Sequence, residues 1–547
     1  MGPSEAGRLS PRRHGARGAR RRRPVPFCLV LAIGALGLLC ACGEPAPLGD
    51  APPAEGGRSY PAWVWADHPI AWRSWEADAF ALARERGLHV LLYLAAPGCE
   101  GLFSTDEPVV QSLAEERFVP VRVDPYRRPE VARRYASAGW PALAVIDPAG
   151  RCVTAAVDPP ADRVRLLLAR MHHHLDRRPE VVADRVSEAR AAAAPGRARG
   201  GDWTAAQALA AIAAAHDVEH GGFGRGGKTG EWPVLLFLLD WHEARGDSAS
   251  LAMVEASLDG LLAGPMWDAG AGGVLSLSYT PDWRTPHWEK DGVDQAGLLE
   301  VLSRLPALDA ERRRVAAQVV AYVRDELLDP AAGLFRGRQV GSPGGPWWTD
   351  PAAYVDRQAL LVDALLAVAP KLTGEAAAEA RRLGLIGAET LATSFVDEGG
   401  RVTRWIDGEG AGLVSTLLRD QILVARALLA AAGSGGPVRC RDGARQVLAR
   451  LEQRQWDKAR GHYRVDLGCG LEGLNPPVQD VAVAGPGLDG VLPDGNALAA
   501  LIAALPGQRE GRRDMLLRAR PAGPPGRAHA TWARALLAHT RSETGAR

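Results

Sequence analysis

The residues of this 547-residue chain best suited to chemistry gather in one stretch. Asp268 and the pair Gly272-Gly273 lead to Trp283, then to Pro286-His287-Trp288-Glu289-Lys290, with Asp294 close behind. His287 and Glu289 stand two apart, so in an extended segment both side chains project to the same side. An imidazole beside a carboxylate is acid/base equipment, and two carboxyl groups roughly 5–9.5 Å apart hydrolyse glycosides. Lys290 would neutralise a carboxylate or hold a ligand hydroxyl. Lys228, Asp356, Asp420, Asp480 and Asn496 fall in comparable loops, and Trp232, Trp267, Trp283, Trp288, Trp347 and Trp348 lie on or beside them. Flat aromatic faces with polar rims suit sugar rings. The expected catalytic set is His287, Glu289, Asp268 and Asp294. The expected ligand-binding set includes Lys228, Trp283, Trp288, Lys290, Asp356, Asp420 and Asn496. A plainer reading stands beside this one. Acids at helix starts cap the helix, loop tryptophans plug gaps between hairpins, and His287, Glu289 and Lys290 form a polar network that closes the fold. No metal and no cofactor is expected: there is no Cys/His pairing at zinc spacing, and His172, His173 and His174 are consecutive on a helix, so they cannot share a face.

Two kinds of element must position these groups. Residues 60–158 alternate helix and strand: a helix over 77–86, strands at 89–94, 118–123 and 141–146, and helices at 109–117 and 130–136. Such an order makes a small sheet flanked by helices. A charged, Ala- and Arg-rich connector follows over 159–201. From 202 to 547 amphipathic periodicity repeats through about twelve helices joined by long loops rich in Gly, Pro and Trp. Twelve helices with elaborate loops at alternate junctions suggest six hairpins closed into an (α/α)6 toroid with a funnel at one end. No strict internal repeat is apparent.

The motifs fit one known family. His68-Pro69-Ile70-Ala71-Trp72-Arg73-Ser74-Trp75, Arg122-Val123-Asp124, Arg128-Pro129 and Gly139-Trp140-Pro141 resemble the spermatogenesis-associated thioredoxin-domain family. In that family a thioredoxin-like domain is fused to a six-hairpin glycosidase-like toroid. Gly221-Gly222-Phe223-Gly224, Lys228, the block from Asp268 to Ala296, Gln339, Asp356, Asp420-Gln421 and Pro493-Asp494-Gly495-Asn496 continue the resemblance to about residue 510. It implies an α/β thioredoxin-like domain followed by an all-α (α/α)6 toroid. It also implies a cis peptide at Trp140-Pro141, in a loop that shapes a peptide-binding groove. The family usually has Cys-x-x-Cys where this chain has Cys99-Glu100-Gly101-Leu102. Cys99 matches the nucleophilic thiol, and the resolving thiol is missing, so dithiol exchange is not expected. Monothiol chemistry at Cys99 is a further alternative. In the toroid, Lys228-Thr229-Gly230, Asp291-Gly292-Val293 and Arg357-Gln358 depart from the family, which points to altered specificity or a decayed site.

The first 41 residues hold eight Arg and one acid, and an apolar run from Phe27 to Cys40 ends in Leu39-Cys40-Ala41-Cys42-Gly43. That pattern is a secretory signal ending in a lipobox, with Cys42 as the lipidated residue and 42–59 as a tether. A plainly cleaved secretory signal is the alternative. The expected location is the bacterial cell envelope, lipid-anchored. Beyond residue 41 the acids outnumber Lys and Arg, so the charge footprint of a nucleic-acid binder is missing. The function expected is redox-inactive binding of a carbohydrate or peptide. The alternative is a sugar hydrolase or epimerase working through His287, Glu289 and the loop aspartates.

Overall fold

In strand β1 (His89–Leu94) successive side chains leave on opposite faces, and both faces are apolar. Val90, Leu92 and Leu94 enter one core, while Leu91 and Tyr93 enter another. A strand buried on both faces needs helices on both, and the chain supplies them. Helices α1 (Ala77–Arg86) and α3 (Pro129–Tyr135) cover the first face. Helices α2 (Pro108–Arg117) and α4 (Ala161–Arg177) cover the second. The sheet also contains β2 (Phe118–Val123), β3 (Ala142–Ile146) and β4 (Cys152–Val157), in the order β2-β1-β3-β4. β1 and β2 run parallel, and the other pairs are antiparallel. The edge strand β4 is absent from the sequence reading, because Cys-Val-Thr-Ala-Ala-Val carries small, half-exposed residues without a clear alternation. The Trp140–Pro141 peptide is cis. This computed structural model describes residues 70–97, 108–135, 139–180, 201–464, 494–503 and 515–545, a few positions within those ranges excepted. Cys42, Cys99 and Asp480 lie outside the described residues.

Among the described residues eleven further α-helices follow: α5 (Ala205–Ala215), α6 (Trp232–Arg245), α7 (Ser248–Leu262), α8 (Gly292–Arg304), α9 (Ala310–Tyr322), α10 (Val355–Val368), α11 (Gly374–Thr390), α12 (Leu418–Gly433), α13 (Val438–Arg454), α14 (Gly495–Ala503) and α15 (Ala530–Gly545). Helix α6 packs on α8, α8 on α10, α10 on α12, α12 on α14, α14 on α15, and α15 back on α6. That closes an inner ring of six. The helices between them in sequence, α5, α7, α9, α11 and α13, alternate with the ring, and a helical turn at residues 515–518 occupies the same place in the order. This is an (α/α)6 toroid. Its inner helices are apolar nearly all round, as burial on every side requires: α6 reads Trp-Pro-Val-Leu-Leu-Phe-Leu-Leu.

A repeated device, missed in the sequence, joins α5, α7, α9, α11 and α13 each to the next inner helix. After the outer helices come Asp217, Asp268, Asp329, Asp397 and Asp457. In each turn the aspartate carboxylate accepts two backbone N–H groups. A glycine at φ between 66° and 81° (Gly221, Gly272, Gly333, Gly400, Gly461) closes the turn. An apolar residue then pairs back across a tiny hairpin: Phe223, Val274, Phe335, Val402 or Tyr463. Side-chain amides from the first turn of the next inner helix grip three of these residues. Gln295 clasps both N–H and C=O of Val274, each at 2.8 Å, and Asn496 clasps both of Tyr463 at 2.9 and 3.0 Å. Gln358 accepts the Phe335 N–H at 2.8 Å. The period escapes a hydropathy reading because it resides in one Asp, one Gly and one amide separated by loops of unequal length. Gln295→Leu strands a buried N–H and a buried C=O, so it is expected to cost about 2–3 kcal/mol in urea unfolding. An unchanged midpoint would show that this clasp does not hold the hairpin.

Candidate functional site

The short strand Glu289–Asp291 pairs antiparallel with Arg338–Val340. Its alternation places Glu289 and Asp291 on one side and Lys290 on the other. Lys290 is fully buried there. Its Nζ donates to Asp268 Oδ2 at 2.7 Å and to the Gly272 carbonyl at 2.8 Å, beneath the rings of Tyr322 and Trp347. Lys228 does the same for the preceding turn, donating to Asp217 Oδ2 and the Gly221 carbonyl, both at 2.7 Å. A compact ammonium with three donors fits this turn where a planar guanidinium does not. Two of the chain's four lysines are therefore buttresses of the repeated turn. Asp268 belongs to that buttress, and the Lys290 hydrogen bond, set against partial burial, holds its carboxyl below the ordinary range.

On the other side of the strand lies a buried network of alternating charge. Arg338 is almost wholly enclosed and donates to Glu289 Oε1 at 2.7 Å and to Asp350 Oδ2 at 3.3 Å. Arg357 binds Asp291 through two nitrogens, at 2.8 and 3.2 Å, and Asp356 at 2.6 Å. Arg404 spans Asp356 at 3.1 Å and Asp420 at 3.0 Å, and Ser415 adds a hydroxyl to Asp420 at 2.6 Å. Burial opposes charge on Glu289, but Arg338 and the His287 hydrogen bond outweigh it and keep the carboxyl below its usual range. For Asp356, too, Arg357 and Arg404 overcome the burial penalty. His287 meets Glu289, as their spacing predicts, with Nε2 at 3.3 Å from Oε2. Its Nδ1 lies 3.0 Å from the Tyr279 hydroxyl.

The α/β domain enters this network. Tyr126, in the loop between β2 and α3, donates its hydroxyl to Glu289 Oε1 at 3.0 Å. Burial, with Glu289 beside it, drives its pKa far above the ordinary phenol value, so it is a protonated donor. Its ring lies under the guanidinium groups of Arg338 (4.4 Å) and Arg357 (5.0 Å), with Trp140 and Tyr354 nearby. Arg404 donates twice to the Tyr126 carbonyl, at 3.0 and 3.2 Å. Arg338 also donates to the Pro97 carbonyl at 2.9 Å, and Arg127 pairs with Asp407 at 2.8 Å while stacking on Trp405. Ala96, Tyr126, Ala352 and Tyr354 form a small core between the domains, with Trp140 and Trp405 packed against it. The cis-proline loop expected to shape an open peptide groove thus faces the toroid, and among the described residues that side is covered.

The remaining expected residues are accounted for in turn. Asp294, in the first turn of α8, accepts the Trp232 indole N–H at 2.8 Å; burial and the charge of Asp291 push its pKa up to about 8. Asp356 and Asp420 begin α10 and α12 and join the network. Trp288 is half-buried beside Trp347 on the rim, with ring centres 6.3 Å apart. Three residues take structural contacts instead. Asn496 is the clasp on Tyr463, Lys228 is a turn buttress, and Trp283, at φ 63°, donates to the His220 carbonyl. Sequence reasoning missed Tyr126, Arg338, Asp350 and Arg404. Among 61 arginines a network arginine carries no compositional signal. Tyr126, however, sits between two motifs already noted, Arg122-Val123-Asp124 and Arg128-Pro129.

Comparisons with known proteins give matches along both parts of the chain. A family model described as Thioredox_DsbH, a protein of unknown function (DUF255), matches residues 61–189. The Caenorhabditis elegans protein named "Uncharacterized protein B0495.5" is 24% identical over 265 residues. That match covers 44% of this chain and 36% of the worm protein's length. Among solved structures, a D-mannose isomerase aligns with 62% of this chain and 96% of its own, at 9% identity and a TM-score of 0.48. The cellobiose 2-epimerase of Spirochaeta thermophila aligns with 68% of this chain and all of its own, at 15% identity and the same TM-score. A thioredoxin-like α/β domain is here followed by an (α/α)6 toroid.

Asp294 gives the site a testable pH dependence. Its folded-state pKa lies well above the ordinary carboxyl value, so the stability it contributes is full at acid pH and is lost as pH rises towards about 8. Asp294→Asn fixes the neutral state. Wild type is expected to lose stability relative to this variant from pH 5 to 8, by up to about 1.4 kcal/mol per pH unit in urea unfolding. Parallel curves would show that the carboxyl is already ionised at pH 5.

Proposed function

We propose that this is an exported envelope protein, lipid-anchored at Cys42, whose toroid mouth holds a neutral carbohydrate without turning it over. Its thioredoxin-like domain serves as a redox-inactive companion to that mouth, and the chain is a divergent member of the spermatogenesis-associated thioredoxin-domain family. One observation carries the reading. Glu289, Asp291, Asp350, Asp356 and Asp420 are each held by an arginine. Glycoside hydrolysis needs one carboxyl able to give a proton and a second free to attack or to activate water. Carboxylates locked to guanidinium groups fill neither role, yet with Arg, His and Tyr beside them they make a surface of donors and acceptors suited to hydroxyl groups. The half-buried pair Trp288 and Trp347 offers apolar faces at the rim. A hollow deeper in the ring, lined by Trp232, Glu300, Arg426 and Arg534, has about 30 Å³, room for water and not for a sugar ring.

A second reading rests on the His287–Glu289 contact, with Tyr279 on the far nitrogen. An imidazole fixed between a carboxylate and a hydroxyl is equipped to move a proton on a sugar carbon, as an isomerase or epimerase must. One experiment separates the two. The mature protein is titrated with mannose, cellobiose and mannobiose by thermal shift, and the same mixtures are analysed for new sugars. The expected result is a concentration-dependent rise in Tm for at least one sugar, lost in Glu289→Ala, with no product formed. Product that disappears in Glu289→Ala would replace the binding reading with the enzymatic one, and no shift with any sugar would remove both.

A further inference from the structure

Tyr126 reaches the toroid mouth as a ligand would. It comes from a separate domain, lays a six-membered ring against two guanidinium groups, and presents a single hydroxyl to the carboxylate of Glu289. Trp140 and Tyr354 flank that ring. The space it fills is therefore walled by two cations, an acid and two aromatic side chains.

The charges around it balance without it. Arg338 keeps Glu289 and Asp350, Arg357 keeps Asp291 and Asp356, and Arg404 keeps Asp356 and Asp420 when the loop leaves. Withdrawal leaves each of these arginines with its carboxylates, so it avoids the large cost of stranding a buried ion. Among the described contacts it breaks the bonds to the carbonyls of Pro97 and Tyr126, one phenol bond and the pair Arg127–Asp407, which water can replace, together with the ring contacts of Arg338 and Arg357 on Tyr126 and of Arg127 on Trp405. The apolar part of the contact is four buried residues, against the far larger separate cores of the two domains. Polar, modest interfaces of this kind permit domains to separate.

We infer that the loop from Asp124 to Arg128 is an autoinhibitory occupant of the toroid mouth, with the Tyr126 ring in the place of a neutral polyhydroxylated ring such as a hexopyranose. The inference rests on the carbohydrate-binding reading above and adds its regulation. Ligand and loop compete for one space, so apparent affinity is reduced by the fraction of molecules in which the loop is seated. A ligand hydroxyl takes over the bond to Glu289, and the ring's apolar face takes over the contact with Tyr354, which stays with the toroid.

The test uses the whole mature protein with mannose, cellobiose and mannobiose, and reads the dissociation constant by calorimetry. Tyr126→Ala empties the space and is expected to tighten binding by at least about tenfold. Arg127→Ala leaves the tyrosine in place and removes two contacts of the loop with the toroid, the pair with Asp407 and the stacking on Trp405. It is expected to tighten binding by a smaller factor, which keeps the question open to measurement should Tyr126→Ala fold poorly. Tyr126→Phe keeps the ring and is expected to tighten binding less than Tyr126→Ala does. Wild-type affinity in both Tyr126→Ala and Arg127→Ala would overturn the loop's inhibitory role and leave the binding reading intact. Failure of every form to bind any of the three sugars would overturn both.

Discussion

Six helix N-termini meeting at one end of a ring set the terms for everything around the mouth. Each carries about half a positive charge from its aligned peptides, and the inner helices all enter from the same side. The first turns of α8, α10 and α12 answer with Asp294, Asp356 and Asp420. Once these acids and their neighbours are buried, they need counter-charges from elsewhere, because an unpaired ion in such a place is very costly. Arg338 and Arg404 supply them from the loops between hairpins and Arg357 from the first turn of α10, while Asp294 has no arginine and burial favours its neutral form. Asp294, Asp356 and Asp420 thus stand within the first turns of their helices and not at the cap positions. They complement the helix ends and, with the arginines, they form the wall that any ligand would meet.

The lysines and arginines of this chain divide the labour according to their geometry. Each network arginine bridges two or more acceptors with a flat fork, and Arg404 adds the carbonyl of Tyr126 from the neighbouring domain. The two buried lysines sit where a single point charge must satisfy one carboxylate and one carbonyl inside a tight glycine turn. In a chain that otherwise uses arginine almost exclusively, keeping lysine at these two places marks a steric requirement.

Much of this architecture was legible from residue order. The alternating segments before residue 158 and the amphipathic periods after residue 202 correspond to the described helices with boundaries displaced by a few residues, and α1 coincides with its expected span. The His287–Glu289 contact also follows from a spacing of two. Less was visible where the determining signal is relational. His287, Glu289 and Lys290 read as one cluster, yet strand alternation sends Lys290 to a different set of partners. Asn496 reads as a ligand-binding residue and Gln295 carries no reading at all, yet both clasp backbone, because an amide is the side chain that can match both polar groups of one residue at once. The domain contact was not visible, since it joins Tyr126 to groups up to 278 positions away in the sequence.

The ring's closure also has a temporal side. The last described helix, α15, seals the circle by packing between α14 and α6, with Trp532 wholly enclosed. Until that segment has folded into place, the flanks of α6 and α14 present apolar surface with nothing against it. A growing chain in this state is an open crescent, liable to accept the closing helix of a neighbouring copy in place of its own. Early half-formed rings therefore depend on the arrival of their final helix, or on a chaperone that screens the gap, to avoid exchanging parts.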